Sequence, residues 1–108
     1  MNTTDALLTA DEFANMQLST DAIILDVRTQ EEWNAGHVKG AIHIDYLDDS
    51  FESNLEPLDK NKHYYVYCRS GMRSAQAIHT MQQLGFERCT NIVNGIIGIQ
   101  RTNIELEK

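Results

Sequence analysis

A chain of 108 residues with 42% hydrophobic content has the size of one domain and enough apolar mass to close one core without disulfide staples, which argues against a second domain. Its formal net charge of −7, with no cluster of Lys and Arg, leaves no footprint for a phosphate backbone, so nucleic acid is not an expected partner. The polar start Met1-Asn2-Thr3-Thr4-Asp5 lacks the basic-then-apolar pattern of a secretion signal and no apolar run is long enough to span a bilayer, so the expectation is one cytoplasmic domain over 1–108 with no membrane partner.

Short apolar runs and helix-like segments alternate along the chain. Thr9-Ala10-Asp11-Glu12 has the spacing of a capping box and predicts a short amphipathic helix that carries Phe13 and Met16. Ala22 to Val27 is an aliphatic run suited to a strand buried on both faces. Thr29-Gln30-Glu31-Glu32 repeats the capping-box spacing, so a short helix is expected at once, ending near Gly36. Ala41-Ile42-His43-Ile44 predicts a second, weaker strand. The acidic stretch from Asp45 to Leu58 is expected to hold a short helix with Tyr46, Phe51 and Leu55 facing inward.

Tyr64-Tyr65-Val66-Tyr67 has strong strand propensity and runs directly into Cys68-Arg69-Ser70-Gly71-Met72-Arg73. Ser74 to Leu84 then predicts a helix with Ala77, Ile78, Met81 and Leu84 on one face and Gly85 as its stop. Cys89 to Val93 closes the series of strands, and a last helix is expected from Ile96 onward. This alternation predicts a three-layer α/β/α domain on a largely parallel sheet. In such sheets ligands sit beyond the carboxyl ends of the strands, where the Cys68 loop would lie.

A cysteine between the end of a buried strand and the start of a helix faces backbone N–H groups that have no intrahelical partner. If residues 69–73 curl around the sulfur, these donors and the helix dipole favour a thiolate, and comparable sites have pKa values of roughly 3.5 to 7.5 against about 8.5 for a free cysteine. Gly71 gives the loop a backbone conformation closed to other residues, and Arg69 and Arg73 add positive charge near its mouth. Arg73 could equally be a structural ion-pair partner of Asp26 or Glu32, and Arg69 is open to the same alternative. Asp26 and Arg28 are expected to brace a strand end. His37 is a conceivable base for the thiol, but it sits in a turn that reads as architectural, and a thiolate stabilised by backbone donors needs no base. Cys89 has no glycine loop behind it and reads as a packing residue. His43, His63 and His79 lack metal-ligand spacing, so neither metal nor cofactor is expected.

Cys68 to Ser74 resembles the active-site loop of the rhodanese family. Asp26-Val27-Arg28, Glu32-Trp33 and Gly36-His37-Val38-Lys39-Gly40-Ala41 are similar to that family's upstream signature. Leu84-Gly85-Phe86 and Val93-Asn94-Gly95 are similar to its downstream end, so the resemblance spans about residues 7–100. It departs from the family pattern at Lys39, where proline is frequent, at Asn94, where a glycine pair is usual, and near Ile99, where tryptophan is common. The resemblance implies a rhodanese-like fold and a sulfurtransferase. Cys68 would take sulfane sulfur from a small anionic donor such as thiosulfate and pass it to cyanide or a thiol, with a thioredoxin-like or other protein as a further possible acceptor. Arg69, Ser70, Gly71, Met72 and Arg73 would bind the substrate, with Asp26, Arg28, Glu32 and His37 in support. The alternative is a sulfur-carrier or binding module that serves a protein partner with little free turnover. A phosphatase or arsenate reductase comes third. Related dual-specificity phosphatases have a loop one residue longer, with arginine sixth after the cysteine, whereas here the sixth residue is Ser74 and the loop holds no carboxylate to act as general acid.

Overall fold

The computed structural model describes residues 6–108, so the polar stretch Met1 to Asp5 lies outside the described residues. Five parallel strands form the central sheet, in the order β1-β6-β5-β2-β4: β1 (Ala6–Leu8), β2 (Ile23–Asp26), β4 (Ile42–His43), β5 (His63–Tyr67) and β6 (Arg88–Ile92). The register sets Leu25 beside Val66, Asp26 beside Tyr67, and Tyr65 beside Thr90. The helices are α1 (Ala10–Ala14), α2 (Gln30–Ala35), α3 (Phe51–Leu55), α4 (Met72–Gln83) and α5 (Gly95–Ile99). A second, two-stranded antiparallel sheet joins β3 (His37–Val38) to β7 (Leu106–Glu107).

The strand period of two divides the core between the two faces. Leu25, Val27, Tyr64, Val66 and Cys68 turn to one side, where Phe51 and Leu55 of α3 and Ala77, Ile78 and Met81 of α4 cover them. Tyr65, Tyr67 and Ile92 turn to the other, against Ala10 and Phe13 of α1 and Ile96 and Ile99 of α5. The three-layer α/β/α arrangement expected from the alternation is therefore present. Strand order reverses between β2 and β5, because the chain passes from β2 to β4 on one side and resumes with β5 on the other. The loops that follow these two strands carry Val27-Arg28 and Cys68-Arg69, so the crevice expected at such a reversal falls on the motif residues.

Both capping boxes form. Thr9 and Thr29 each accept from the backbone N–H of the glutamate three residues on, and each glutamate accepts from the threonine N–H. The chain departs from expectation at its edges. Met16, expected on α1, lies beyond its end at Ala14 and is exposed. The last helix begins at Gly95 and stops at Ile99, where the Thr102 hydroxyl donates to the Ile99 carbonyl at 2.6 Å. Three isoleucines and two glycines have low intrinsic helix preference, so a competing side-chain bond is enough to end it. The chain then returns as β7 against β3.

Candidate active site

Cys68 follows the last residue of β5 and is 1% exposed. Its Sγ accepts a hydrogen bond from the Gly71 N–H at 3.1 Å and lies 3.4 Å from Ser74 Oγ. Burial pushes the Cys68 thiol up. Hydrogen bonds from the Ser74 hydroxyl and from the backbone amides of Ser74, Gly71 and Ser70 more than reverse this, and the thiol stands below its ordinary value. Cys89 shows the opposite balance: it is equally buried, has no compensating donor, and burial pushes it up to about 12. Both thiols are free.

The loop is held from outside as well as from within. The backbone N–H of Ile96 donates to the Cys68 carbonyl at 2.9 Å and that of Ile97 to the Arg69 carbonyl at 3.2 Å, so α5 grips the first two residues of the loop. The approach leaves no room for a side chain at Gly95, where a Cβ would fall 2.5 Å from the carbonyl oxygens of Cys68 and Arg69. Gly71 is equally constrained. Its φ of +110° is closed to other residues, and a Cβ there would lie 2.2 Å from the Val93 carbonyl oxygen.

The other expected site residues divide into three groups. Arg69 and Ser70 are exposed on the loop, and Met72 is 74% exposed beside them. Arg73 points the other way and makes a two-pronged bond to Glu32, at 2.8 and 2.9 Å. The Arg73 guanidinium, opposed in part by burial and helped by Thr29, draws the Glu32 carboxyl down to about 2. Arg73 therefore joins α4 to α2, and its charge is matched by Glu32. Arg69 has no ion-pair partner among the described residues, which leaves it as the uncompensated cation of the loop.

Asp26, Arg28 and His37 bond within the segment from β2 to β3, where Arg28 also meets Tyr67, the residue before Cys68. Arg28 donates to both Asp26 oxygens, with the shortest bond at 2.7 Å, and to the Gly36 carbonyl, and its guanidinium lies over the Tyr67 ring. The Tyr67 hydroxyl accepts from the Val38 N–H, while burial and the nearby Asp26 charge keep it protonated far above its ordinary range. His37 stacks on Trp33 with ring centres 3.4 Å apart and donates from Nδ1 to the Trp33 carbonyl at 3.0 Å. Its Nε2 faces Glu107 at 3.6 Å. The bonds to Cys68 Sγ come from Gly71 and Ser74, and His37 serves the turn that its motif suggested.

Three residues of the site escaped sequence reasoning. Ser74 closes the loop motif without a role of its own there, and Gly95 stands only as part of the downstream motif. Asn91 sits in the otherwise buried strand β6, and its side chain meets Ser74 Oγ at 2.6 Å. A lone amide in a strand buried on both sides was the signal available for it.

The family model of the rhodanese-like domain matches residues 9–102. A Bacillus subtilis protein named for a sulfur-carrier role, YrkF, is 38% identical over 73 residues, which cover 68% of this chain and 38% of that protein. A second B. subtilis protein, named as a sulfurtransferase, YtwF, is 33% identical over 82 residues, or 76% of this chain and 77% of that one. A tRNA uridine(34) hydroxylase of Shouchella clausii is 30% identical over 95 residues, covering 83% of this chain but 29% of the hydroxylase. The chain thus spans less than two fifths of YrkF and of the hydroxylase. Among solved structures, a rhodanese-like domain protein from Staphylococcus aureus superimposes with a TM-score of 0.80 at 30% identity, covering 95% of this chain and 99% of that one. With the family match running over nearly the whole chain and the reversal of strand order set at the Cys68 loop, the protein belongs to the rhodanese-like domain family.

Proposed function

We propose that the protein is a sulfurtransferase in which Cys68 carries sulfane sulfur as a persulfide. The observation that carries this reading is a nearly inaccessible thiol held below its ordinary pKa by inward-pointing donors, in a loop whose first two carbonyls are bonded by α5. With thiosulfate as donor, the Cys68 thiolate attacks the outer sulfur. The bond between the two sulfur atoms of thiosulfate breaks, sulfite departs with the electron pair, and the charge comes to rest on the outer sulfur of the persulfide. A nucleophilic acceptor such as cyanide then takes that sulfur, and Cys68 leaves as the thiolate. The amides of residues 70, 71 and 74 face the sulfur throughout and stabilise it without a proton acceptor. Arg69 supplies the positive charge that draws in an anionic donor.

Steady-state thiosulfate:cyanide transfer tests the assignment. Cys68→Ser removes it, with a loss of at least about three orders of magnitude expected for loss of a covalent nucleophile. Cys89→Ser retains most of it, because the Cys89 thiol stands near 12 and stays protonated. Equal losses would point to a two-cysteine redox mechanism.

One observation favours a second reading, that of a carrier that hands its sulfur to a protein. Met72, 74% exposed, and Ile97, 37% exposed, belong to the loop and to the helix that grips it, and the relative YrkF is named for a sulfur-carrier role. A carrier would load from a donor readily and turn over slowly with cyanide, whereas an enzyme would do both at comparable rates.

A further inference from the structure

Beneath Cys68 lies a buried polar chain, of which the Ser74 hydroxyl serves the thiolate and Asn91 has no part yet in the transfer chemistry. Ser74, fully buried in the first turn of α4, has its Oγ 3.4 Å from Cys68 Sγ, 3.1 Å from the Gly71 carbonyl oxygen and 2.6 Å from Asn91 Oδ1. Asn91, 6% exposed, reaches in from β6, and its Nδ2 donates to the same Gly71 carbonyl at 3.2 Å. That bond fixes the amide, since the reverse orientation would set two oxygens against each other. Asn91 therefore presents an acceptor to Ser74 at the shortest of the three distances. The Gly71 carbonyl is already supplied by the Ala75 N–H and by Asn91.

A serine hydroxyl has one proton to give. While that proton is directed to Asn91, Ser74 turns a lone pair toward Cys68. A protonated thiol can donate to that lone pair, and the neutral inner sulfur of a persulfide tolerates it, but a thiolate needs a donor there. We propose that Asn91 is a positioning residue of this site, which claims the Ser74 proton and so weights the Cys68 sulfur against its bare anionic form and toward its sulfur-loaded form. As Cys68 ionises, the Ser74 proton swings from Asn91 to Sγ and the Asn91 oxygen loses its donor. As sulfur is taken up, the negative charge moves to the outer sulfur, Sγ becomes neutral and the proton returns. Asn91 thereby favours loading without touching donor or acceptor.

The inference rests on Cys68 being the reacting sulfur. The charged groups around it are Arg69 on the loop, Arg73 of α4 with its partner Glu32 of α2, and Asp45 after β4, which acts on Arg73. None of these changes in the variants below. The test is the pH dependence of Cys68 alkylation by iodoacetamide, in a Cys89→Ser background. Asn91→Leu removes the acceptor and releases the Ser74 proton to the thiolate, so the midpoint falls by about half to one pH unit, the worth of one hydrogen bond. In Ser74→Ala, the same Asn91→Leu change leaves the midpoint where it was. Asn91→Asp, which keeps the side-chain shape, raises the midpoint, and by more with Ser74 present than without it. An unchanged or raised midpoint in Asn91→Leu, or equal shifts with and without Ser74, overturns the assignment. Should Asn91→Leu fail to fold, an Asn91→Asp shift that is independent of Ser74 overturns it. A starting protein whose midpoint matches a free thiol counts instead against Cys68 as the nucleophile, because the Asn91 assignment is read from differences between variants.

Discussion

Two thiols in one small core, both nearly inaccessible, differ because only one faces backbone donors. Cys89 packs among Tyr64 and Phe86, and burial alone sets its titration; Cys68 is as deep, but the Gly71 N–H lies 3.1 Å from its sulfur. The sequence made that distinction legible, since a glycine-bearing loop follows Cys68 and none follows Cys89. The division of labour between the two arginines was not legible. Whether Arg73 met substrate or a carboxylate depended on how α2 and α4 sit relative to one another, which local spacing does not determine. Its pairing with Glu32 leaves Arg69 as the loop cation without an ion-pair partner among the described residues, and in the proposed reaction Arg69 is the charge that attracts an anionic donor against a net charge of −7. Arg69→Ala accordingly raises KM for thiosulfate by about fivefold, with little change in kcat, because an exposed charge of this kind contributes on the order of 1 kcal/mol to ground and transition states alike. A collapse of kcat at unchanged KM would show that Arg69 shapes the loop instead.

At the scale of elements, α5 is short but it grips the loop. Gly95→Ala would press a methyl group to within 2.5 Å of two loop carbonyls, so it costs about 2–3 kcal/mol in stability, measurable by denaturant unfolding, and lowers transfer activity by displacing Cys68. The α2–α4 tie has a pH signature. Because the folded Glu32 carboxyl titrates near 2, below its ordinary value of about 4.5, its stabilising effect is complete above that ordinary value and is lost as the pH falls toward 2. Arg73→Ala therefore costs on the order of 1–2 kcal/mol at neutral pH, an amount reduced by the pair's partial exposure, and flattens the acid limb of the stability profile between those two values. A variant that keeps the steep acid limb would show that another carboxylate is responsible. The capping boxes at Thr9 and Thr29 could be read directly because both partners of each bond lie within four residues. β1, β3 and β7 are two or three residues long and exist through pairing with distant segments, so no local pattern announced them.

For the molecule as a whole, the placement of the site follows from strand order. In a parallel sheet whose order reverses between β2 and β5, the carboxyl ends of those strands are where a ligand site is expected, and the two motifs richest in chemistry follow those two strands. The alternation of apolar runs with helical segments carried the three-layer architecture in advance, and a strand running straight into a glycine loop and a helix carried the place of Cys68. Asn91 and Ser74 were hidden because their meaning lies in a contact between β6 and α4 across 17 positions of sequence. All of this converges on one claim, that Cys68 holds a transferable sulfur atom. Intact-protein mass spectrometry after thiosulfate treatment, with and without subsequent cyanide, tests it most directly. The protein should gain the mass of one sulfur atom, lose it on cyanide addition with release of thiocyanate, and gain nothing as Cys68→Ser. An unchanged mass after treatment with thiosulfate and with a persulfide donor, or the same gain in Cys68→Ser, would contradict it.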